Sequence, residues 1–273
     1  MKFENNFDWY QKMAEYLIKQ FWDIKNYKIK NDNNISAIFL AWAPWAWKTE
    51  FLETIFKDLK ENFIIIDIDK YRNLFKWYNW ENSKDYQKGS VKVADKILKF
   101  CFKNNLNFVF DGTFRNYNKI KQNFSQCKKY SRKSLITLIF QDPRISFYYT
   151  FLRKLNKKRN VPIDVFIDWF YNSIKNTFKA VKEFENIDLM IAYKKYNLLN
   201  KEQYKFDIDY KTKNITLFCK KYRILYKKWE FLNKENLKID ILNYNNILEQ
   251  EFLWTKTIWG RIKLWCIEKI NKI

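Results

Sequence analysis

Residues 42–49 read Trp-Ala-Pro-Trp-Ala-Trp-Lys-Thr and lie between an apolar run and a segment with helical spacing. The spacing matches the phosphate-binding loop GxxGxGKT, with tryptophan at each position where that loop has glycine. Such a loop wraps phosphate oxygens with its own N–H groups, so it needs residues that accept unusual dihedrals and leave room for the anion. Tryptophan does neither. The segment therefore predicts a nucleotide-binding loop if glycine occupies those three positions.

The glycine content supports that substitution independently. A chain of 273 residues has 3 glycines and 12 tryptophans, whereas average usage of ~7% would give about 19 glycines. The combined number of tryptophans and glycines comes close to that expected number of glycines. Some bacterial lineages read the UGA codon as glycine, while a commoner variant code reads it as tryptophan, so we interpret most tryptophans as UGA-encoded glycines. The alternative is an aromatic-rich protein whose tryptophans are real and whose loop is blocked.

Length and composition indicate a globular protein. A chain of 273 residues with 47% hydrophobic residues can form one large domain, or one domain with an appendage. The longest apolar run, residues 37–47, is shorter than the ~20 residues of a membrane span. The first residues show no signal or transit peptide. We therefore expect a cytoplasmic protein with no membrane partner.

Histidine is absent, and the four cysteines are far apart in sequence, so no metal-ligand spacing is visible and acid–base chemistry must use carboxylates. The net charge of +22 leaves two interpretations open. Lys-rich surfaces are usually solvated faces, which fits an AT-rich genome, but a strongly basic protein can also bind nucleic acid.

Apolar runs alternate with helical patterns, which indicates βαβ units and a parallel sheet. The predicted strands are residues 36–41, 62–69, 107–113, 135–142 and 188–194. A leading helix is predicted over residues 7–24, and further helices begin near Lys48, Tyr86, Asn116, Arg144 and Pro162. The predicted fold class is α/β, a P-loop NTPase-like doubly wound parallel sheet with a C-terminal appendage.

The pattern changes after residue 195. Residues 204–210 and 214–220 alternate like a polar hairpin, and residues 244–270 have a helical pattern. We therefore expect a kinase-like domain over residues 1–195 and an appendage of unknown role over residues 196–273.

The loop and the strand ends supply the candidate site residues. ATP would be bound by the loop residues Trp42, Ala43, Pro44, Trp45, Ala46, Trp47, Lys48 and Thr49. Lys48 would neutralise the β- and γ-phosphates, and Thr49 would ligate Mg²⁺. Asp111, an acid at the end of an apolar strand, would orient the same Mg²⁺ through water.

A pair of carboxylates, Asp67 and Asp69, ends the second predicted strand. Residues at i and i+2 of a strand point to the same side, and the carboxyl edge is where ligands of open α/β sheets bind. One of the two could act as general base on an attacking hydroxyl. Farther along, a basic segment over residues 151–162 could supply arginines to a lid,.

Together these motifs resemble the zeta-toxin family of P-loop kinases, over about residues 7–194. The resemblance rests on AWAPWAWKTEF, IIIDIDKYR, NFVFDGTFR and RNVPIDVFI. It implies transfer of the ATP γ-phosphate to the 3′-hydroxyl of UDP-N-acetylglucosamine, with ATP and Mg²⁺ as cofactors and an antitoxin as a candidate partner.

Carried over by position, the resemblance makes Asp69 the catalytic base. It gives a catalytic role to Lys48 and to two phosphate-contacting arginines, Arg153 and Arg159, although the match at Arg153 needs a gap. The residues implied at the sugar-nucleotide site are Arg72, Asp95, Thr113 and Arg115. Two other functions remain open: a P-loop kinase for nucleic-acid ends or another small metabolite, and a non-catalytic protein with a blocked loop.

Overall fold

The chain folds around a single six-stranded sheet in a computed structural model. The structure describes residues 2, 4, 6–21, 24–29, 34–42, 48–54, 57, 61–79, 82–157, 161–195, 205–222 and 233–254. Within them the strands are β1 (Ala37–Trp42), β2 (Ile64–Asp67), β3 (Phe108–Asp111), β4 (Ser134–Phe140), β5 (Ile187–Lys195) and β6 (Lys205–Asp209). The α-helices are α1 (Phe7–Lys19), α2 (Lys48–Thr54), α3 (Ile68–Arg72), α4 (Ser83–Lys103), α5 (Tyr117–Lys129), α6 (Pro143–Lys157), α7 (Ile163–Glu183), α8 (Ile215–Lys221) and α9 (Lys234–Trp254).

The strands follow the order β2-β3-β1-β4-β5-β6. The first five are parallel, and β6 is antiparallel to β5 at the edge. Strands β2 and β3 lie on one side of β1, and the later strands β4, β5 and β6 lie on the other side. Ligands of open α/β sheets bind where the strand order reverses in this way, outside the carboxyl ends of the strands. The predicted fold class is confirmed, and β1 lies at that point.

The central strands are continuous apolar runs because helices cover the sheet on both faces. All seven residues of β4 are buried. Phenylalanine fills much of the core: Phe39 of β1 contacts Phe108 and Phe110 on β3 and Phe124 on α5. This packing fixes the strands whose ends carry the polar residues of the site.

All five predicted strands agree with the structure to within two residues at either end. The second strand nevertheless ends at Asp67, two residues before its predicted end, because the short helix α3 follows at once. Asp67 causes this ending: its Oδ1 accepts hydrogen bonds from the N–H groups of Asp69 and Lys70, at 2.9 and 3.1 Å. It is thus the N-cap of α3. The expectation that Asp67 and Asp69 share one face of a strand is therefore wrong.

The C-terminal predictions are right in part. Residues 205–209 form a strand as expected, but residues 215–221 form helix α8 instead of a second strand. Asn214 caps that helix by accepting a hydrogen bond from the N–H of Thr216 at 2.7 Å. The last helix begins at Lys234, ten residues before the predicted start, and its predicted residues 255–270 lie outside the described residues. The proposed domain boundary at residue 195 stays a prediction, and β6 pairs with β5 across it.

Among the residues that the structure describes, no helix combines the length and the apolarity needed to cross a membrane.

The tryptophans whose side chains are described, Trp9, Trp42, Trp77 and Trp169, do not belong to the buried core. Trp77 is 77% exposed, in a turn between α3 and α4. Its φ of 66° lies in the left-handed region, which is a genuine outlier for a bulky residue and the default conformation of glycine in turns. Tryptophan is highly buried on average, so position 77 has the environment of a glycine.

Gly89, which is a glycine in the given sequence, occupies a different kind of position. Gly89 lies on α4 where that helix packs against α1, and a Cβ atom there would come within 2.5 Å of Tyr10 Cε1 and 3.0 Å of Phe75 Cζ. We expect Gly89→Ala to destabilise the protein by about 1 to 3 kcal/mol, the usual cost of overpacking. Chemical denaturation measures it. The neighbouring exposed Lys88→Ala is the control and should stay within about 0.5 kcal/mol of the parent; equal effects would contradict this account of the helix contact.

Candidate functional site

The junction of β1 and α2 places a lysine against two carboxylates. Lys48 is the first residue of α2, and its Nζ pairs with Asp111 Oδ2 at the end of β3. It also lies 3.9 Å from Asp67 Oδ2 at the end of β2. Asp67 and Asp111 are directly opposite in the register of the two strands. The carboxyl edge of the sheet therefore gathers one cation and two acids in front of β1.

The ionisation of this cluster follows from its burial. Asp111 is 4% exposed, and burial, together with the negative Asp67, raises its pKa to about 6 despite the attraction of Lys48. Burial would lower the pKa of Lys48, but Asp111 and Asp67 outweigh it and raise that pKa above its ordinary value. Lys48 therefore stays charged at neutral pH and is suited to hold phosphate oxygens.

Trp42 occupies the same space from the other side. Its indole Nε1 donates a hydrogen bond of 2.8 Å to Asp111 Oδ1, and Lys48 Nζ lies 5.2 Å from the ring centroid. The ring also makes an edge contact with Trp169 on α7, at 6.3 Å between centroids. The indole therefore covers the acid that was predicted to orient a metal ion. Residues 43–47 lie outside the described residues, as does the side chain of Thr49.

The two acids at this edge have the chemistry of Mg²⁺ ligands, and the indole of Trp42 competes with a metal ion for one of them. In kinase sites Mg²⁺ is held by one or two carboxylates together with the substrate's phosphates. Asp111 and Asp67 could form such a pair, and both are buried. An N–H donor directed at Asp111 competes with a cation for the same oxygen, and glycine at position 42 would remove that donor.

Asp69 lies next to this cluster but differs in its surroundings. Its carboxylate pairs with Arg72 one turn along α3, and its side chain is 31% exposed. Arg72 itself is buried. Asp67 is engaged as a helix cap, so Asp69 is the carboxylate of the pair that a substrate can reach.

The segment after β3 carries Thr113 and Arg115. Thr113 is half-buried, and Arg115 is exposed and pairs through Nε with Asp168 on α7. Asn176, also on α7, donates hydrogen bonds to the carbonyls of Phe114 and Arg115 at 2.8 and 3.0 Å. Helix α7 thus fixes both the backbone and the side chain of this segment.

Two of the remaining candidates lie on helices. Asp95 on α4 pairs with Lys119 on α5 at 2.7 Å, so its carboxylate is already engaged. Arg153 is half-buried on α6. Arg159 lies outside the described residues.

Sequence reasoning missed the residues that hold Arg115. Asp168 and Asn176 lie on a long amphipathic helix, and their partners are more than fifty residues away. The one visible signal was Asn176, an amide on the buried face of an apolar helix, because a buried amide must find hydrogen-bond partners.

Comparisons with known proteins identify a family for this chain. The family model described as Zeta toxin matches residues 22–205. No curated protein matches the chain.

Solved structures share the fold at low sequence identity. One belongs to the PezAT chromosomal toxin–antitoxin system of Streptococcus pneumoniae, with a TM-score of 0.58, 18% identity, and coverage of 88% of this chain and 97% of that chain. Another is the AvrRxo1-ORF1:-ORF2 complex with ATP, with a TM-score of 0.52, 12% identity, and coverage of 86% and 85%. The native form of that complex gives a TM-score of 0.54 at 13% identity, with coverage of 78% and 72%.

Proposed function

Since this chain belongs to the zeta toxin family, we propose that it is an ATP-dependent kinase that phosphorylates a nucleotide sugar, UDP-N-acetylglucosamine at its 3′-hydroxyl. The observation that carries the proposal is the cluster of Lys48, Asp67 and Asp111 at the carboxyl edge of the sheet, with the accessible Asp69 beside it. Phosphoryl transfer uses a phosphate-binding lysine, acids that can hold a metal ion and a carboxylate that the acceptor can reach.

Each group has a defined task. Lys48 holds the β- and γ-phosphates. Thr49 and Asp111 would hold the Mg²⁺ that accompanies ATP, and such an ion would supply positive charge beside the phosphoryl group. Asp69 accepts the proton of the attacking hydroxyl, and Arg72 keeps its carboxylate oriented through their ion pair,.

The acceptor lies beyond Asp69 in this proposal, near Thr113 and Arg115, and Asp95 would bind one of its sugar hydroxyls. Arg153 and Arg159 would contact the transferred phosphoryl group as lid residues. Asp95 must leave Lys119 to bind a sugar hydroxyl, since the two side chains are paired.

We also propose that the tryptophans of the loop are glycine in the native protein. Two observations support this: the indole of Trp42 covers Asp111, and Trp77 has an exposed side chain on left-handed backbone. The two positions are far apart, and each has a separate reason to require glycine. Peptide mass spectrometry of the protein from its own host decides the matter, and tryptophan masses at positions 42, 45 and 47 would overturn the proposal.

A substitution at position 77 tests the same idea in the tryptophan-containing chain. We expect Trp77→Gly to stabilise the fold by about 1 kcal/mol. A non-glycine residue at positive φ costs roughly 1 to 2 kcal/mol, and the larger loss of backbone entropy when glycine folds offsets part of the strain that is relieved. Thermal denaturation measures the change. Trp77→Ala is the control, since it removes the ring but keeps the Cβ atom, and an equal gain from alanine would show that strain at positive φ is not the cause.

The alternative acceptor is the end of a nucleic acid, which the net charge of +22 favours. A panel of acceptors with γ-labelled ATP separates the two functions in protein whose loop carries glycine at 42, 45 and 47. Label on UDP-N-acetylglucosamine supports the proposal, and label on nucleic-acid ends alone overturns it. Absence of transfer to either acceptor would leave the non-catalytic alternative.

Toxicity with a protein antitoxin is the biological setting we propose. The family is named for a toxin, and similar structures come from a toxin–antitoxin system. Expression of the glycine-containing chain in a bacterium should arrest growth, and Asp69→Asn should relieve the arrest. Growth arrest that persists in Asp69→Asn would separate toxicity from the kinase activity.

A further inference from the structure

Arg115 is held in place by a carboxylate that belongs to another part of the chain. Its Nε donates to Asp168 Oδ2, and within the described residues this is the one hydrogen bond that the guanidinium makes. A guanidinium has five N–H donors, so the outer nitrogens remain available to an anionic ligand. The orientation of those nitrogens depends on Asp168 and on the ring of Trp169, whose centroid lies 6.0 Å from the guanidinium carbon.

Asp168 in turn is shared among three donors. Its Oδ1 accepts hydrogen bonds from Asn172 Nδ2 at 2.8 Å and from Lys234 Nζ at 3.1 Å, while Oδ2 serves Arg115. Burial would raise the pKa of Asp168, but the hydrogen bonds from Lys234 and Arg115 outweigh it and hold that pKa below the ordinary value. Asp168 is therefore ionised at neutral pH, with both oxygen atoms engaged.

Lys234 is the first residue of α9, which follows the segment that the family model matches. The helix runs antiparallel to α7, because Lys234 meets Asp168 and the next turn brings Lys238 to Asp164 at 2.9 Å. Leu237, between these two lysines in the sequence, is fully buried. The C-terminal helix thus reaches the same carboxylate as the candidate substrate arginine.

We propose that Asp168 is a positioning residue for Arg115, and that α9 completes the acceptor site through Lys234. The inference rests on the proposed function for its substrate, a nucleotide sugar whose diphosphate would receive the outer nitrogens of Arg115. The C-terminal segment is then part of the binding site rather than a cover for the sheet edge. Without Lys234, Asp168 keeps its contact with Arg115 but loses the cation that fixes its other oxygen.

The two lysines of α9 form a matched pair for the test. Lys234 and Lys238 are 45% and 42% exposed, and each pairs with an aspartate of α7. In protein with glycine at 42, 45 and 47, we expect Lys234→Ala to raise the acceptor KM about 2- to 5-fold, in keeping with a partly exposed ion pair. The kcat and the KM for ATP should stay unchanged. Lys238→Ala should change none of the three.

A double-mutant cycle shows whether Lys234 acts through Arg115. In an Arg115→Ala background, Lys234→Ala should have no further effect on acceptor KM, and Asp168→Asn should likewise add nothing. Equal effects of Lys234→Ala and Lys238→Ala, or a full Lys234→Ala effect without Arg115, would overturn the inference.

A second measurement is independent of the kinase activity. The solvent exchange of the Arg115 Nε–H, followed by nitrogen-15 NMR and assigned with Arg115→Lys, should be faster in Lys234→Ala than in Lys238→Ala. If the protein phosphorylates no nucleotide sugar, the proposed function fails, and this exchange rate still decides whether α9 positions Arg115. Equal exchange in the two variants would refute the positioning role whatever the substrate is.

Discussion

Asp69→Asn should lower turnover by about 10²-fold or more, the usual loss when a general base is removed. ATP affinity should stay nearly unchanged, because Lys48 and Asp111 hold the nucleotide and neither contacts Asp69 by hydrogen bond within the described residues. The change keeps the shape of the side chain and its place beside Arg72. Initial rates with ATP and UDP-N-acetylglucosamine, in protein with a glycine loop, give the turnover directly.

Asp67→Asn is the matched control because the two acids are two residues apart and differ in role. Asp67 caps α3 and lies 3.9 Å from Lys48, so its loss should weaken the structure around the nucleotide. We expect Asp67→Asn to reduce turnover less than Asp69→Asn does. The reverse ranking would identify Asp67 as the base.

Glycine at positions 42, 45 and 47 should tighten ATP binding by about 10²-fold or more relative to the tryptophan-containing chain. A loop that wraps phosphates needs residues that accept unusual dihedrals and leave room for the anion, and about 1.4 kcal/mol corresponds to a tenfold change in affinity. Removal of the Trp42 indole also frees Asp111 from its hydrogen bond. The sheet should form in both proteins, because the strands are buried independently of the loop.

Isothermal titration of the two proteins with Mg²⁺-ATP measures this difference. Trp77→Gly serves as the control, because it relieves positive φ at a position outside the loop and should leave ATP affinity unchanged. Equal ATP affinity with and without the three loop glycines would contradict both the glycine proposal and the assignment of the loop.

The sheet could be predicted from sequence because its strands are buried on both faces and therefore appear as uninterrupted apolar runs. Residues 134–140 are the clearest case, since all seven are buried. Helix α8 was mistaken for a strand because Ile215, Leu217 and Cys219 are spaced two residues apart. The side chain of Asn214 decides the matter by capping a helix. The secondary structure of short segments at a sheet edge depends on such local contacts rather than on the period of their apolar residues.

The site residues could be predicted where a sequence motif lies at the end of a strand. Lys48 and Asp111 come together as expected because β1 and β3 are neighbours in the sheet. The predicted geometry of Asp67 and Asp69 was wrong, because Asp67 caps a helix and the strand ends there. Asp168 and Lys234 could not be linked to Arg115 from sequence, because Arg115 meets Asp168, and Asp168 meets Lys234, only through the packing of segments far apart in the chain.

The mass of the nucleotide sugar after reaction tests the central claim most directly. Protein with glycine at 42, 45 and 47 is incubated with ATP, Mg²⁺ and UDP-N-acetylglucosamine, and the products are analysed by mass spectrometry, with NMR to locate the new phosphate. The account predicts one added phosphoryl group at the 3′-hydroxyl of the sugar, and none when Mg²⁺ is removed or Lys48 is replaced by alanine. A glycine-containing protein that binds ATP yet leaves the nucleotide sugar unmodified would contradict it.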